Sequence, residues 1–231
     1  MTTDTSWADV AAATAALLET AYGMREGDQA ADSLCAGWTR GHVLTHVARN
    51  ADAIGNLVTW AVTGVPTPMY ASAEAREADI EAGAARSVAD LVADLEASAA
   101  RLADQTADLA PAHDAVEIEL RGGWRIRASE LAWRRLREVA YHHVDLDAGF
   151  GFADLPPDLT SALLADEVAG LRRHPQAPAL TLHTTTGEEF TVGAGTAYVT
   201  GTPAALLGWL ARGLTEGLAT DGALPHLPKG S

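Results

Sequence analysis

Apolar residues at helical spacing between residues 39 and 63 restrict the fold of this chain more than any other feature. They recur three, four and seven positions apart, so they share one face of a helix; the set is Val43, Val47, Ile54, Leu57, Val58 and Ala61. Thr39 can cap the start of this helix, and Gly64 followed by Pro66 can end it. A long helix with one apolar face needs other helices to cover that face, which favours a bundle.

Three further segments have helical character. Residues 7–22 are rich in Ala and Leu and end at Gly23, residues 87–106 begin with Ser87 three places before Asp90, and a last segment runs from about 129 to 146. Alternating apolar residues on both sides of Gly122-Gly123 predict a β-hairpin before that last helix. Four long helices with short or hairpin-bearing connections predict a four-helix bundle.

The pattern changes after Pro156-Pro157. The sequence predicts a helix over residues 158–173, short strands over 179–184, 189–192 and 197–200, and a last helix over 203–218. Helix, three strands and helix together form a small α/β unit, so the chain as a whole falls in the α+β class. We place the domain boundary after residue 153, which gives an N-terminal helical domain over 1–153 and a C-terminal domain over 154–231.

Charge and cysteine content exclude several classes of function. The chain has 31 acidic and 16 basic residues and a formal net charge of -15, which disfavours binding to nucleic acid or to anionic membranes. Cys35 is the only cysteine, so neither an internal disulfide nor a cysteine-based zinc cluster can form. No segment approaches the ~20 apolar residues that span a bilayer, and residues 1–7 lack the features of a signal peptide. We expect a cytoplasmic protein.

Three residues on two of the predicted helices have the right chemistry for a divalent metal. Glu138 and His142 stand four positions apart, so their side chains lie on one face of the fourth helix, at the border of its apolar arc. His46 occupies a matching border position on the second helix. Two imidazoles and a carboxylate can form a catalytic zinc site or an iron(II) site, although the same spacing also occurs in a solvated ion pair.

Neighbouring polar residues compete with this assignment. His42 and His46 are also four positions apart and could form a histidine pair on a single helix. His143 points toward the apolar arc, which favours a hydrogen-bonded core histidine. Asp145 and Asp147 lie in the last turn of the fourth helix, where we favour an exposed acidic helix end over a carboxylate that orients a ligand histidine.

Two more residues call for interpretation. Cys35 lies in a loop without a sequence neighbour that would activate it, so we interpret it as inert. Arg212 lies on a mostly apolar helix, where it either extends its charged end to water or binds a carboxylate in a cleft. Spacing alone does not choose between these two roles.

Two blocks of sequence resemble the mycothiol-dependent maleylpyruvate isomerase family. The block over residues 37–83 contains Gly37-Trp38-Thr39-Arg40, His42, His46-Val47-Ala48, Asn50, Asn56-Leu57, Thr67-Pro68-Met69-Tyr70 and Glu74-Ala75-Arg76. The block over residues 129–148 contains Trp133, Arg137-Glu138-Val139, His142 and Val144-Asp145-Leu146. The resemblance is weaker beyond about residue 155, where it depends on the short match Ala211-Arg212-Gly213.

The resemblance implies a DinB-like four-helix bundle followed by a small α/β domain that resembles a sterol carrier protein. It implies zinc, or another divalent metal, on His46, Glu138 and His142, mycothiol as the thiol cofactor, and a catalytic arginine at Arg212. The implied reaction is the cis–trans isomerisation of maleylpyruvate to fumarylpyruvate in gentisate degradation.

In that reaction the thiolate adds to the double bond, the resulting single bond rotates, and elimination releases the product. Two alternatives stay open: a metal-dependent mycothiol S-transferase that acts on another electrophile, and a non-catalytic protein that binds metal or small ligands.

Overall fold

A computed structural model describes residues 5–228 of the chain. The chain folds into two compact units, one up to Phe150 and one from Gly151 onward, close to the boundary predicted after residue 153. That these units are separate domains stays a prediction. The expectation for the N-terminal residues 1–7 lies partly outside the described residues.

The N-terminal unit contains five α-helices and one β-hairpin among its described residues. The helices are α1 (Trp7–Tyr22), α2 (Arg40–Thr63), α3 (Ala73–Ala84), α4 (Val88–Thr106) and α5 (Leu131–Asp145), and the hairpin pairs β1 (Glu117–Glu119) with β2 (Arg125–Arg127). Helices α1, α2, α4 and α5 pack against one another and form the predicted bundle. Helix α3, which packs on α2, was not predicted because its apolar residues form no continuous stripe.

Side-chain caps explain where the predicted helices begin. The Thr39 hydroxyl accepts a hydrogen bond from the backbone N–H of His42, and the Ser87 hydroxyl accepts one from Asp90. At the other end of α2, Gly64 has a φ of 71°, a left-handed conformation that costs glycine little. The predicted starts and ends of these helices are thereby confirmed.

Helix α2 forms the centre of the bundle core. Its N-terminal half packs in a cluster with α1, α4 and α5, which includes Leu17, Leu44, Leu95 and Val139. Its C-terminal half packs with the hairpin and the start of α5 in a second cluster, which includes Leu57, Ile118 and Leu131. Burial of each large apolar side chain contributes about 1.5–3 kcal/mol, so this packing holds α2 and α5 in a defined register.

The C-terminal unit combines two helices with a four-stranded sheet. Its elements are α6 (Pro157–Arg173), β3 (Leu180–Thr184), β4 (Glu189–Val192), β5 (Ala197–Gly201), α7 (Pro203–Arg212) and β6 (Ala219–Thr220). The strand order is β4-β3-β5-β6; β3 and β5 are parallel, and the other two pairs are antiparallel.

The predicted last helix over 203–218 was too long. Helix α7 ends at Arg212, because the next residue, Gly213, adopts a left-handed conformation with a φ of 70° that ends the helix. Strand β6 occupies part of the segment that follows. Among the described residues, no helix has both the length and the apolar character that crossing a bilayer requires.

Candidate metal centre

A cavity of about 430 Å³ opens in the N-terminal unit between α2, α5 and the loop that precedes α2. His46 of α2 and the pair Glu138 and His142 of α5 line it together. The His46 side chain is 6% exposed, whereas the Glu138 carboxylate is 39% exposed. The structure therefore brings the three sequence-predicted residues together at the wall of one cavity.

The distances from the Glu138 carboxylate to the two imidazoles suit a tetrahedral ion. Glu138 Oε2 lies 3.1 Å from His46 Nε2 and 3.7 Å from His142 Nε2. Zinc bonds of about 2.0–2.1 Å at tetrahedral angles separate ligand atoms by roughly 3.3–3.5 Å, which falls between these two distances. The two imidazole rings are perpendicular, with centroids 4.6 Å apart, so their nitrogens converge from different directions. The donors present fit a zinc ion, which these three residues would hold at the wall of the cavity.

A second group of possible donors lies behind the first. The Sγ atom of Cys35 lies 3.1 Å from Asp145 Oδ2, and the same oxygen lies 2.8 Å from His142 Nδ1. The second distance is typical of a hydrogen bond and is short for two ligands of one ion. Asp145 is fully buried and does not line the cavity. This arrangement suits a carboxylate that orients the His142 imidazole.

A buried arginine supports the carboxylate of Glu138 through an asparagine. Asn50 lies one turn after His46, and its Nδ2 is 3.4 Å from Glu138 Oε2. Its Oδ1 accepts a 2.7 Å hydrogen bond from Arg135, which also donates to the backbone oxygen of Val47. Arg135 is 1% exposed, and burial lowers its pKa to about 10. The charge of Arg135 interacts favourably with the Glu138 carboxylate and favours its ionised form.

The protein environment shifts the pKa values of all three predicted ligands. Burial lowers the pKa of His46. Burial also disfavours the charged forms of Glu138 and His142, but hydrogen bonds outweigh it. Those from His142 and His46 hold the pKa of Glu138 well below its ordinary range. Those with Asp145, Cys35 and Glu138 raise the pKa of His142 well above its ordinary range. Without metal, His142 therefore holds a proton that a metal ion would displace.

The structure decides between the alternatives for the neighbouring histidines. The imidazole of His42 contacts Thr39 and, through Nε2, Glu81 at 3.1 Å, so the His42–His46 pair on one helix does not form. His143 is 3% exposed and lies 2.7 Å from the Thr20 hydroxyl. The prediction that His143 is a hydrogen-bonded core histidine is confirmed.

The prediction for Asp145 was wrong, and the position of Cys35 was not foreseen. Asp145 is a fully buried partner of His142, whereas we favoured an exposed helix end for it. Cys35 lines the cavity, although no sequence neighbour indicated that position. The fold brings the Cys35 loop to the end of α5, where the Leu34 amide donates a 2.9 Å hydrogen bond to the backbone oxygen of Asp145. Only this tertiary contact reveals both positions.

Several residues that line the cavity were not predicted as site residues. They are Trp38, Asn50, Met69, Tyr70, Arg76 and Arg121. Trp38 packs beside both imidazoles, with ring centroids 5.3 Å from His46 and 6.4 Å from His142. The first five of these residues fall in the block that resembles the isomerase family, which was the available signal. Arg212 ends α7 in the C-terminal unit, and its catalytic role stays a prediction.

Comparisons with known proteins identify related sequences and structures. A sequence profile described as the mycothiol maleylpyruvate isomerase N-terminal domain matches residues 10–147. A crystal structure of the mycothiol-dependent maleylpyruvate isomerase matches at 30% identity, with 96% of this chain and 94% of that chain covered and a TM-score of 0.89. A histidine-to-alanine mutant of the mycothiol-dependent maleylpyruvate isomerase matches at 29% identity with the same coverage and TM-score. A search of curated protein sequences finds no match. The chain belongs to the mycothiol-dependent maleylpyruvate isomerase family.

Proposed function

We propose that this protein is a zinc- and mycothiol-dependent cis–trans isomerase that converts maleylpyruvate to fumarylpyruvate, a step of gentisate degradation. The observation that carries the proposal is the likeness to the crystal structure of that enzyme, at 30% identity over 96% of the chain. The converging donors of His46, Glu138 and His142 support the metal dependence, because they lie within 4.8 Å of one another.

These three residues would hold the ion, and the groups behind them would fix their orientation. Asp145 accepts a hydrogen bond from Nδ1 of His142 and so leaves Nε2 of that ring for the metal. Asn50 directs its amide at the Glu138 carboxylate. A bound metal ion would favour the thiolate form of mycothiol, and this thiolate would be the nucleophile that adds to the substrate double bond and leaves again after rotation.

The protein's own side chains shape the site around that chemistry. Trp38 packs beside both imidazoles and forms part of the apolar wall next to them. The thiol of Cys35 donates to the Asp145 carboxylate, and the proposed nucleophile is the thiol of mycothiol. Arg212 would bind a substrate carboxylate or stabilise the developing enolate.

The test is a spectrophotometric assay of maleylpyruvate with the purified protein. We expect turnover that requires both mycothiol and zinc. His46→Ala, Glu138→Ala and His142→Ala should each lose bound zinc and turnover, while Cys35→Ser, in which the hydroxyl can still donate to Asp145, should retain both.

The alternative functions predict different results. A mycothiol S-transferase would consume another electrophile and form a stable thioether instead of an isomer. A non-catalytic binding protein would bind zinc but would convert neither maleylpyruvate nor another electrophile. An active His142→Ala variant would refute the proposed set of ligands.

A further inference from the structure

Two arginines face the cavity that holds the proposed metal ligands. Arg76 extends from the first turn of α3, and Arg121 comes from the turn between β1 and β2. Of the described residues that line this cavity, only Glu138 is acidic. In a chain with a net charge of -15, the cavity is therefore a local region of positive charge, more so with a divalent metal bound.

Three other arginines of the same unit form close ion pairs with carboxylates, whereas these two do not within the described residues. Arg49 and Arg86 both bind Asp94, at 2.6 and 2.7 Å, and Arg101 binds Asp52 at 2.7 Å. Within residues 5–228, neither cavity arginine forms an ion pair with an aspartate or glutamate. Both guanidinium groups therefore keep their capacity to bind an anion.

Arg76 is held in place by an imidazole and an aromatic ring. Its Nη2 lies 3.2 Å from His46 Nδ1, and its guanidinium carbon lies 5.7 Å from the centroid of the Tyr70 ring. A histidine that ligates a metal through Nε2 carries its proton on Nδ1. His46 Nδ1–H and Arg76 Nη2–H would then both be donors, so the hydrogen bond between them would be lost and each would need an acceptor. A carboxylate oxygen of a ligand in the cavity would meet that need.

We propose that Arg76, assisted by Arg121, binds a carboxylate of the substrate beside the metal. This inference rests on the proposed function, since maleylpyruvate carries a carboxylate at each end. The planar guanidinium of Arg76 can donate two parallel hydrogen bonds to a carboxylate, which fixes its direction as well as its position. Mycothiol has no carboxylate, so the effect of Arg76 falls on the substrate and not on the thiol cofactor.

The test is calorimetric titration of the zinc-loaded protein with maleate, a non-reacting dicarboxylate that contains the cis double bond. We compare the wild type with Arg76→Gln and Arg121→Gln. The matched control is Arg125→Gln, which removes the same charge from the same hairpin; Arg125 is 68% exposed, lies 3.6 Å from Glu117 and does not line the cavity. The zinc content of every variant is measured first, so that only fully loaded proteins are compared.

We expect Arg76→Gln to raise the Kd for maleate about 10- to 100-fold, as loss of a charge-assisted pair of hydrogen bonds does. Arg121 is exposed, so Arg121→Gln should raise it about two- to fivefold. Arg125→Gln should leave it unchanged. In the isomerase assay, Arg76→Gln should raise KM for maleylpyruvate and leave KM for mycothiol at the wild-type value. Arg76→Lys, which keeps the charge but not the paired donors, should bind maleate with intermediate affinity.

An unchanged Kd for maleate in zinc-loaded Arg76→Gln would overturn the inference, as would an equal loss in Arg125→Gln. A higher KM for mycothiol instead of maleylpyruvate would also overturn it. A wild type that binds maleate through Arg76 but isomerises no maleylpyruvate would contradict the proposed function alone. A wild type that isomerises maleylpyruvate while Arg76→Gln binds maleate normally would contradict this inference alone.

Discussion

The substitution Asp145→Asn distinguishes between two possible metal sites, one on the cavity side of His142 and one on its far side. Asp145 is fully buried, and its Oδ2 lies 2.8 Å from His142 Nδ1 and 3.1 Å from Cys35 Sγ. Asparagine keeps the size of the side chain and an oxygen that accepts a hydrogen bond, but it removes the negative charge. The change therefore tests one property, the charge behind the ligand imidazole.

The expected size of the effect follows from the role of Asp145. A carboxylate that orients a ligand histidine is worth about 10- to 100-fold in metal affinity, or about 1.4–2.7 kcal/mol. Asp145 also raises the pKa of His142, so in the wild type a proton competes with the metal. In Asp145→Asn the pKa of His142 should be lower, so the proton should compete less with zinc. The affinity for zinc should therefore fall less at pH 6 than at pH 8.

The assay is competition between the protein and a chromogenic chelator for zinc, at both pH values. Glu138→Gln is the comparison, because it replaces a proposed ligand by a neutral side chain of the same size. We expect Glu138→Gln to lose much more affinity than Asp145→Asn and Cys35→Ser to lose little. If Asp145→Asn abolished zinc binding while Glu138→Gln retained it, the metal would belong to the group of Cys35, His142 and Asp145, and the proposed site would be refuted.

Four other results are expected. Zinc binding near pH 7 should release about one proton, seen as a buffer-dependent heat in calorimetry, because His142 is protonated in the metal-free protein. The same raised pKa stabilises the metal-free fold fully below about pH 6.5, and this contribution should be lost as the pH rises through the folded-state pKa of His142. Arg212→Ala should slow isomerisation without changing zinc content; unchanged kinetics would remove Arg212 from the mechanism. Gly41→Ala should lower the free energy of unfolding, measured by urea denaturation, by about 1–3 kcal/mol. The reason is that the new Cβ at position 41 would lie 2.0 Å from the backbone oxygen of Ala84. Gly55→Ala, whose Cβ meets only a flexible glutamine side chain, is the control, and an equal loss there would refute the argument.

Sequence periodicity was sufficient to predict the helices that have strong caps and continuous apolar stripes. Helix α2 begins and ends where Thr39 and Gly64 predict, because both residues act through local hydrogen bonds and local backbone geometry. Helix α3 was not predicted because its buried residues are confined to its C-terminal end; they are Ile80, Gly83 and Ala84. Its position depends on its packing against α2, which no local pattern encodes.

The same distinction applies to the candidate site. Glu138 and His142 could be paired from their spacing, since a helix places residues four apart on one face. His46 required only the expectation that α2 and α5 are neighbours. The position of Cys35 depends on a loop that contacts the end of α5, and that of Arg135 on burial beneath Asn50. These contacts join residues more than eighty positions apart, so periodicity carries no information about them.

The residues that line the cavity come from two parts of the N-terminal unit. The proposed metal ligands stand on α2 and α5, whose side chains also form the bundle core, so their separation is fixed by packing. Arg76 and Arg121 come instead from α3 and from a hairpin turn at the edge of the bundle. Substitutions in these outer segments can change which anion the cavity accepts without moving the metal ligands. We therefore expect substrate choice to depend on the wall formed by α3 and the hairpin, and zinc content to be independent of it.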